Sequence, residues 1–163
     1  MAEYGITVGI STFIYFFLHE IGFNSEKANK IVLSLFFGMY FILLALRDVS
    51  VGVDTVHYVN LFYNISRLSW QEIFVFGHDY LQYENGFIIF IKLLTYFDNV
   101  RLFIIITAAL IVFPIMYFYI HEAKDALICI SFFLISLLFE MFFSGMRQSI
   151  AISFGTVAFY FVK

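Results

Sequence analysis

The chain has 163 residues, of which 63% are hydrophobic and 13% are charged, and its formal net charge is −3. Soluble domains have about 45–50% apolar and about 25% charged residues, so this composition indicates a membrane protein. The small net charge gives no basic surface for nucleic acid. The single cysteine, Cys129, lies in an apolar run without a disulfide partner, and we interpret it as a packed or lipid-facing side chain.

Crossing about 30 Å of hydrocarbon takes about 20 apolar residues, and a helix satisfies its own backbone hydrogen bonds in lipid. We therefore predict an all-α polytopic membrane helical bundle that forms one integral membrane domain, residues 1–163. Its predicted membrane-embedded segments are 4–19, 29–46, 86–97, 101–120, 126–143 and 148–163. The last run stops at Lys163 before completing a span, so we expect the chain to be the N-terminal portion of a longer protein.

The long polar segment between Arg47 and Asn85 alternates polar and apolar residues, and loops of this length are usually functional or disordered. Its spacing predicts an amphipathic helix over 55–68, lying in the extracytoplasmic interface. The predicted apolar face holds Val56, Val59, Phe62 and Ile65, and the polar face holds His57, Asn60, Asn64 and Arg67. A second amphipathic piece, SWQEIFVFG, follows, with Trp70 as an interfacial anchor.

Charged residues adjoin the apolar runs at two places. Arg47 directly follows the second run, and Arg147 lies between the last two runs, two residues after Gly145, which fits a helix break or close packing. A charge near the bilayer centre costs about 2.5–3.5 kcal/mol on insertion scales, so such residues usually face a polar cavity or a functional site. The alternative is that Arg47 only extends its charge to the membrane surface.

Three motifs occur in order. They are Arg47 with Gly52-Val53-Asp54-Thr55, Tyr58 and Phe62; Glu84-Asn85-Gly86-Phe87; and Arg147-Gln148-Ser149-Ile150-Ala151. With these motifs the chain resembles the EpsG family of Wzy-type polysaccharide polymerases. The resemblance implies a multi-pass glycosyltransferase of the bacterial plasma (inner) membrane, without a cofactor. Such an enzyme joins oligosaccharide repeat units carried on undecaprenyl diphosphate, for exopolysaccharide, capsule or O-antigen, alongside polysaccharide-export and chain-length proteins.

The resemblance also suggests roles for individual residues. Arg47 and Arg147 would stabilise the leaving diphosphate, because a guanidinium stays charged and pairs with phosphate oxygens. Asp54 or Glu84 would orient or deprotonate the acceptor hydroxyl, as a base whose pKa is raised by an apolar site. The expected substrate-binding residues are Gly52, Thr55, Tyr58 and Gln148. We expect one polar cavity to be lined by Arg47, Asp54, Tyr58 and Glu84.

Other functions are less well supported by the sequence but stay open. Phosphate-binding GxxxxGK[ST] and zinc-binding HExxH motifs are absent, and the histidines at 19, 57, 78 and 121 are too scattered to predict a metal site. A transporter or flippase for lipid-linked oligosaccharide would also need charged residues along a membrane path. A non-catalytic assembly subunit would depend on its apolar surfaces and tolerate loss of either arginine.

The topology of residues 86–97 decides whether the two arginines can share a site. Lys27 and Lys30 favour a cytoplasmic 20–30 loop, which puts Arg47 outside. Full crossings by the next three runs would then place Arg147 on the opposite side. Twelve residues reach only about 18 Å, however, so we predict that 86–97 is re-entrant or partial and that Arg147 returns to the side of Arg47.

Overall fold

The computed structural model describes the backbone of residues 2–20, 25–52, 54–81, 83–136 and 138–163, and side chains there except those of 2–8, 18–19 and 76–81. These residues form nine α-helices, and no strand occurs among them, which confirms the all-α prediction. The helices are α1 (Ala2–Glu20), α2 (Ser25–Leu46), α3 (Thr55–Arg67), α4 (Trp70–Leu81), α5 (Asn85–Thr95), α6 (Val100–Glu122), α7 (Ala126–Ile135), α8 (Leu138–Ser144) and α9 (Met146–Val162).

Two of the described helices, α2 and α6, are long and apolar enough to cross a membrane. The pair α7 and α8 gives a third candidate when taken together, but it is bent by 58°. The predicted membrane-embedded segment 126–143 therefore consists of two helices: α7 ends at Ile135, where the Ser136 hydroxyl turns back to donate to the Phe133 carbonyl at 2.7 Å. The apolar helix α5 is shorter than a span.

Aromatic packing joins α2 to α7 and α8. Phe133 contacts Phe36, Phe37, Tyr40 and Phe142 with ring centroids between 5.2 and 6.0 Å apart. Such pairs contribute about 0.5–1.5 kcal/mol each beyond area burial. The Tyr40 hydroxyl donates to the carbonyl of Phe139 at 2.9 Å, so this buried polar group is satisfied. The packing fixes the bent pair against α2.

Polar contacts between helix ends show how α2, α6, α8 and α9 run relative to one another. At one end Arg101 donates to the carbonyl of Arg47 at 2.7 Å and Arg47 donates to the carbonyl of Phe143 at 2.6 Å. We call this the Arg47 end; it holds the C-termini of α2 and α8 and the N-termini of α6 and α9. At the opposite end the Asn29 side-chain amide donates to the backbone carbonyl of Lys124 at 2.7 Å, and Lys163 pairs with Glu122 at 2.7 Å. Helix α6 is therefore antiparallel to α2 and parallel to α9.

Helix α3 packs on α5, and together they form a layer at the Arg47 end. The predicted amphipathic helix exists, and the side chains of His57, Asn60, Asn64 and Arg67 are exposed as expected. The prediction that Val56 belongs to the apolar face is wrong, since its side chain is 44% exposed. Tyr58 and Leu61 are buried instead, because the packed face is centred on Tyr58, Phe62 and Ile65.

Helix α5 leaves from the Arg47 end and the chain returns to that end before α6. Glu84, the residue before α5, pairs with Arg147, and Arg101, in the first turn of α6, bonds to Arg47. The 11 residues of α5 extend only about 16 Å. Arg47 and Arg147 consequently lie at the same end of the bundle, the arrangement expected from the short 86–97 run.

Candidate functional site

A cavity of about 580 Å³ opens between α5, α6 and α9. Glu84, Arg147 and Gln148 line it where α5 and α9 begin. The remaining wall is mostly apolar and consists of Gly86, Phe87, Phe90, Leu110, Ile150 and Ala151. The cavity therefore combines a charged group at the helix starts with a wall suited to a hydrocarbon chain.

The arginine of this cavity is held by a carboxylate and an aromatic ring. The Nη1 atom of Arg147 lies 2.6 Å from Oε2 of Glu84, and the Cζ atom of Arg147 lies 4.6 Å from the centroid of the Tyr83 ring. The side chains of Arg147 and Glu84 are 31% and 72% exposed. An exposed pair of this kind contributes only about 0–1 kcal/mol, so an incoming anion can exchange with the Glu84 carboxylate at little cost.

Two helix N-termini meet at this pair. Gly145 separates α8 from α9 and precedes Met146, which confirms a helix break there, and Arg147 follows in the first turn of α9. Glu84 is the N-cap residue of α5. The unpaired N–H groups of a helix N-terminus carry a partial positive charge that favours anions. With the Arg147 guanidinium between them, the two termini make this part of the cavity suited to phosphate.

Three aromatic side chains support the pair from the α3 side. The ring of Phe87 lies 5.7 Å from that of buried Tyr58 and 6.2 Å from that of Tyr83. Burial, followed by the nearby Tyr58, Asp54 and Glu84, raises the pKa of Tyr83 against the opposing effect of Arg147, so its hydroxyl stays protonated at neutral pH. Sequence reasoning missed Tyr83, although its position directly before the Glu84-Asn85-Gly86-Phe87 motif was a usable signal.

Arg47 is not among the residues that line the cavity. It is only 8% exposed, its Nη1 donates to the Phe143 carbonyl at 2.6 Å, and its Cζ lies 6.0 Å from the Phe143 ring. The expectation of one cavity lined by Arg47, Asp54, Tyr58 and Glu84 therefore needs correction. Arg47 is turned toward the last turn of α8, where helix carbonyls lack intrahelical donors.

The turn after α2 packs against the carbonyl of Phe143. Gly52 has a φ of +92°, and a Cβ atom there would overlap the Phe143 carbonyl oxygen. Thr55 is fully buried and its hydroxyl donates to the Val51 carbonyl at 2.8 Å. These two predicted substrate-binding residues thus shape the turn before α3. Val53, between them, lies outside the described residues.

The remaining predicted site residues are nearer the cavity. Asp54 is the half-buried N-cap residue of α3 and contributes to the raised pKa of Tyr83. Gln148 is exposed and lines the cavity, and Tyr58 interacts with the Arg147 guanidinium. Across the described part of the chain, no three His, Cys, Asp or Glu side chains are grouped to hold a metal ion. The side chains of His19 and His78 lie outside that part.

Two described helices are long and apolar enough to span a bilayer, and these helices define a helical membrane protein. Beside an apolar cavity this protein carries an arginine between two helix N-termini. The sequence model of the EpsG family matches residues 30–163, so the chain belongs to the EpsG family. This membership makes it a membrane protein related to polysaccharide polymerases. Comparisons with curated proteins and with solved structures found no match.

Proposed function

We propose that this protein is a glycosyltransferase of the bacterial plasma membrane that joins oligosaccharide repeat units carried on undecaprenyl diphosphate. The observation that carries the proposal is the position of Arg147. Its guanidinium lies at the start of α9, beside the N-terminus of α5 and at the polar part of a cavity whose remaining wall is mostly apolar. A polyprenyl diphosphate has the matching form, with a doubly charged head and a hydrocarbon chain.

The reaction joins two units at one glycosidic bond. A hydroxyl oxygen on the terminal sugar of the acceptor attacks the anomeric carbon of the growing glycan. The bond between that carbon and the diphosphate oxygen breaks, undecaprenyl diphosphate leaves with the electron pair, and a carboxylate takes the hydroxyl proton. Arg147 and the two helix N-termini would stabilise the negative charge that grows on the leaving oxygen.

The Arg147–Glu84 pair suggests how the proton acceptor is made available. In the structure the Glu84 carboxylate accepts from the guanidinium at 2.6 Å. A bound diphosphate would replace it on Arg147, because a phosphate group offers more charge and a matching pair of oxygens. Glu84 would then be free to orient or deprotonate the acceptor, with Asp54 as the second candidate, and Gln148 and Tyr58 would contact the substrate.

We assign a different part to Arg47. Its hydrogen bond to the Phe143 carbonyl holds the last turn of α8, two residues before Gly145. Gly52 and Thr55 shape the turn that packs against the same carbonyl. We propose that these residues position the break from which α9, and therefore Arg147, begins. Arg47 would act through this backbone and not on the diphosphate.

The proposal is tested by the length distribution of polysaccharide in a bacterium whose own copy of the full-length gene has been deleted. Plasmid-borne wild-type protein should restore the ladder of polymer lengths, and Arg147→Ala at equal membrane abundance should leave only single lipid-linked units. Arg67→Ala is the matched control, since Arg67 is an exposed arginine on the polar face of α3. A normal ladder with Arg147→Ala would overturn the proposal.

A further inference from the structure

A set of large apolar side chains is exposed on α4 and at the end of α5. Phe74 and Val75 on α4 are 70% and 65% exposed. Leu93, Tyr96 and Phe97, on α5 and in the turn after it, are 52%, 69% and 64% exposed. Contiguous exposed apolar surface of this kind marks an interaction site with a protein or a membrane.

Trp70 connects the two groups into one surface. Its indole Nε1 donates to the Tyr96 hydroxyl at 2.7 Å, and its ring stacks on Phe74 with centroids 5.8 Å apart. The surface formed by Trp70, Phe74, Val75, Leu93, Tyr96 and Phe97 is called the aromatic patch below. Tryptophan and tyrosine, which combine an apolar ring with one polar atom, are enriched where a bilayer meets water.

Along the bundle, the aromatic patch lies at the level where the bilayer is expected to meet water. Tyr96 and Phe97 lie just before α6, which begins at Val100 and whose 23 residues extend about 34 Å, enough to cross the hydrocarbon. The patch therefore lies level with the point where α6 reaches the membrane surface. Helix α3, packed on the buried side of α5, turns its exposed polar side chains outward: His57, Asn60, Asn64 and Arg67.

We propose that the aromatic patch is a membrane anchor that inserts at the boundary between lipid headgroups and acyl chains. The layer of α3, α4 and α5 then rests on the bilayer, with the patch in lipid and the polar face of α3 in water. Exposed Leu93 lies three residues after half-buried Phe90, a wall residue of the cavity, so the two side chains are neighbours on α5. An anchored α5 holds the cavity beside the acyl chains, from which a lipid-linked substrate arrives.

Trp70 is the single tryptophan of the chain, so its fluorescence reports on the patch alone. The full-length protein, with any tryptophan outside residues 1–163 replaced by phenylalanine, is placed in phosphatidylcholine vesicles that contain lipids brominated at carbons 6 and 7 or at carbons 11 and 12. Aqueous iodide is the second quencher, and Trp70→Phe gives the background. We expect the shallow bromolipid to quench more strongly than the deep one, and iodide to quench weakly.

A matched control moves the fluorophore to the polar face of α3. Asn64→Trp in the Trp70→Phe background should be quenched by iodide and not by either bromolipid. Strong iodide quenching of Trp70 without bromolipid quenching would place the patch in water and overturn the proposal. Protection of Trp70 from all quenchers, which indicates a covering protein, or equal bromolipid quenching at positions 64 and 70 would overturn it as well. None of these outcomes depends on whether the protein polymerises sugars.

Discussion

Arg47 and Arg147 are alike in sequence, since each adjoins an apolar run, but their side chains have different surroundings. Both could be selected from the sequence because a charge beside the hydrocarbon is costly and usually has a role. The sequence could not show that Arg47 turns to the Phe143 carbonyl while Arg147 faces the cavity. That difference comes from the packing of α8 against α2, which is a contact between residues nearly a hundred positions apart.

At Arg47 we expect the conservative substitution to be tolerated. Arg47→Lys keeps a donor for the Phe143 carbonyl, so polymer length should stay near that of the wild type. Arg47→Met leaves a buried acceptor without this donor, which costs about 1–3 kcal/mol and should lower both the melting temperature in detergent and the polymer yield. If Arg47→Lys is as inactive as Arg147→Ala while its melting temperature is normal, Arg47 binds substrate directly.

Tyr83 should contribute to activity through the contact between the face of its ring and the Arg147 guanidinium. A cation–π contact contributes about 0.5–2 kcal/mol, so Tyr83→Leu should reduce polymer yield roughly two- to thirtyfold, whereas Tyr83→Phe keeps the ring and should change it little. Measuring yield per mole of membrane protein tests this, with Tyr63→Leu on the exposed face of α3 as control. A loss of activity with Tyr83→Phe equal to that with Tyr83→Leu would assign the effect to the hydroxyl.

At the scale of elements, α5 was the helix for which the sequence was most informative. Its short length and Lys92 predicted an incomplete span, and the structure brings both ends of this segment to the Arg47 end. The contacts of the Lys92 ammonium could not be predicted from the sequence. Lys92 is 8% exposed and its Nζ donates to the carbonyls of Leu68 at 2.6 Å and Ile65 at 3.2 Å, at the C-terminus of α3. A cation is favourable at that end of a helix.

Lys92→Met should therefore separate α3 from α5. Substitution removes the charged donor from the Leu68 carbonyl and one of the two donors from the Ile65 carbonyl, and we expect the free energy of unfolding to fall by about 1–3 kcal/mol. Thermal unfolding in detergent measures this, with Lys124→Met, an exposed lysine at the opposite end, as the comparison. Equal melting temperatures for the two variants would contradict the role given to Lys92.

Two glycines give a paired test of the turn after α2. Gly52→Ala puts a Cβ against the Phe143 carbonyl at a positive φ, so it should destabilise the protein by at least about 1–2 kcal/mol. Gly38→Ala lies within α2 with nothing near its added Cβ, so it should be neutral or stabilising by about 0.5–1 kcal/mol. The same stability for both variants would mean that the turn is not packed as described.

At the scale of the whole molecule, the all-α bundle followed from composition and run lengths alone. The bend between α7 and α8 did not, because residues 126–144 form one largely apolar run whose single charged residue is Glu140, and the length rule cannot detect a break within it. The placement of the two arginines at one end followed from a length argument, since 86–97 is too short to cross. The exact boundaries of the cavity required the packing of three helices.

The relative sidedness of the bundle ends is testable by cysteine labelling. In a Cys129→Ser background, Asn64→Cys and Gln148→Cys should react together with an impermeant maleimide applied from one side of the membrane. Lys124→Cys should react only from the other side. All three positions are exposed. Opposite labelling of positions 64 and 148 would separate the α3–α5 layer from Arg147 and exclude the proposed site.

Polymerisation by purified protein tests the central claim most directly. Full-length protein in proteoliposomes is given lipid-linked repeat units prepared from a strain that lacks it, and polymer length and released undecaprenyl diphosphate are measured together. We expect one undecaprenyl diphosphate for each linkage formed, with wild-type and Arg67→Ala protein active and Arg147→Ala inactive. Transfer of lipid-linked units across the vesicle membrane by the wild-type protein, without polymer or released diphosphate, would contradict the account and identify a transporter.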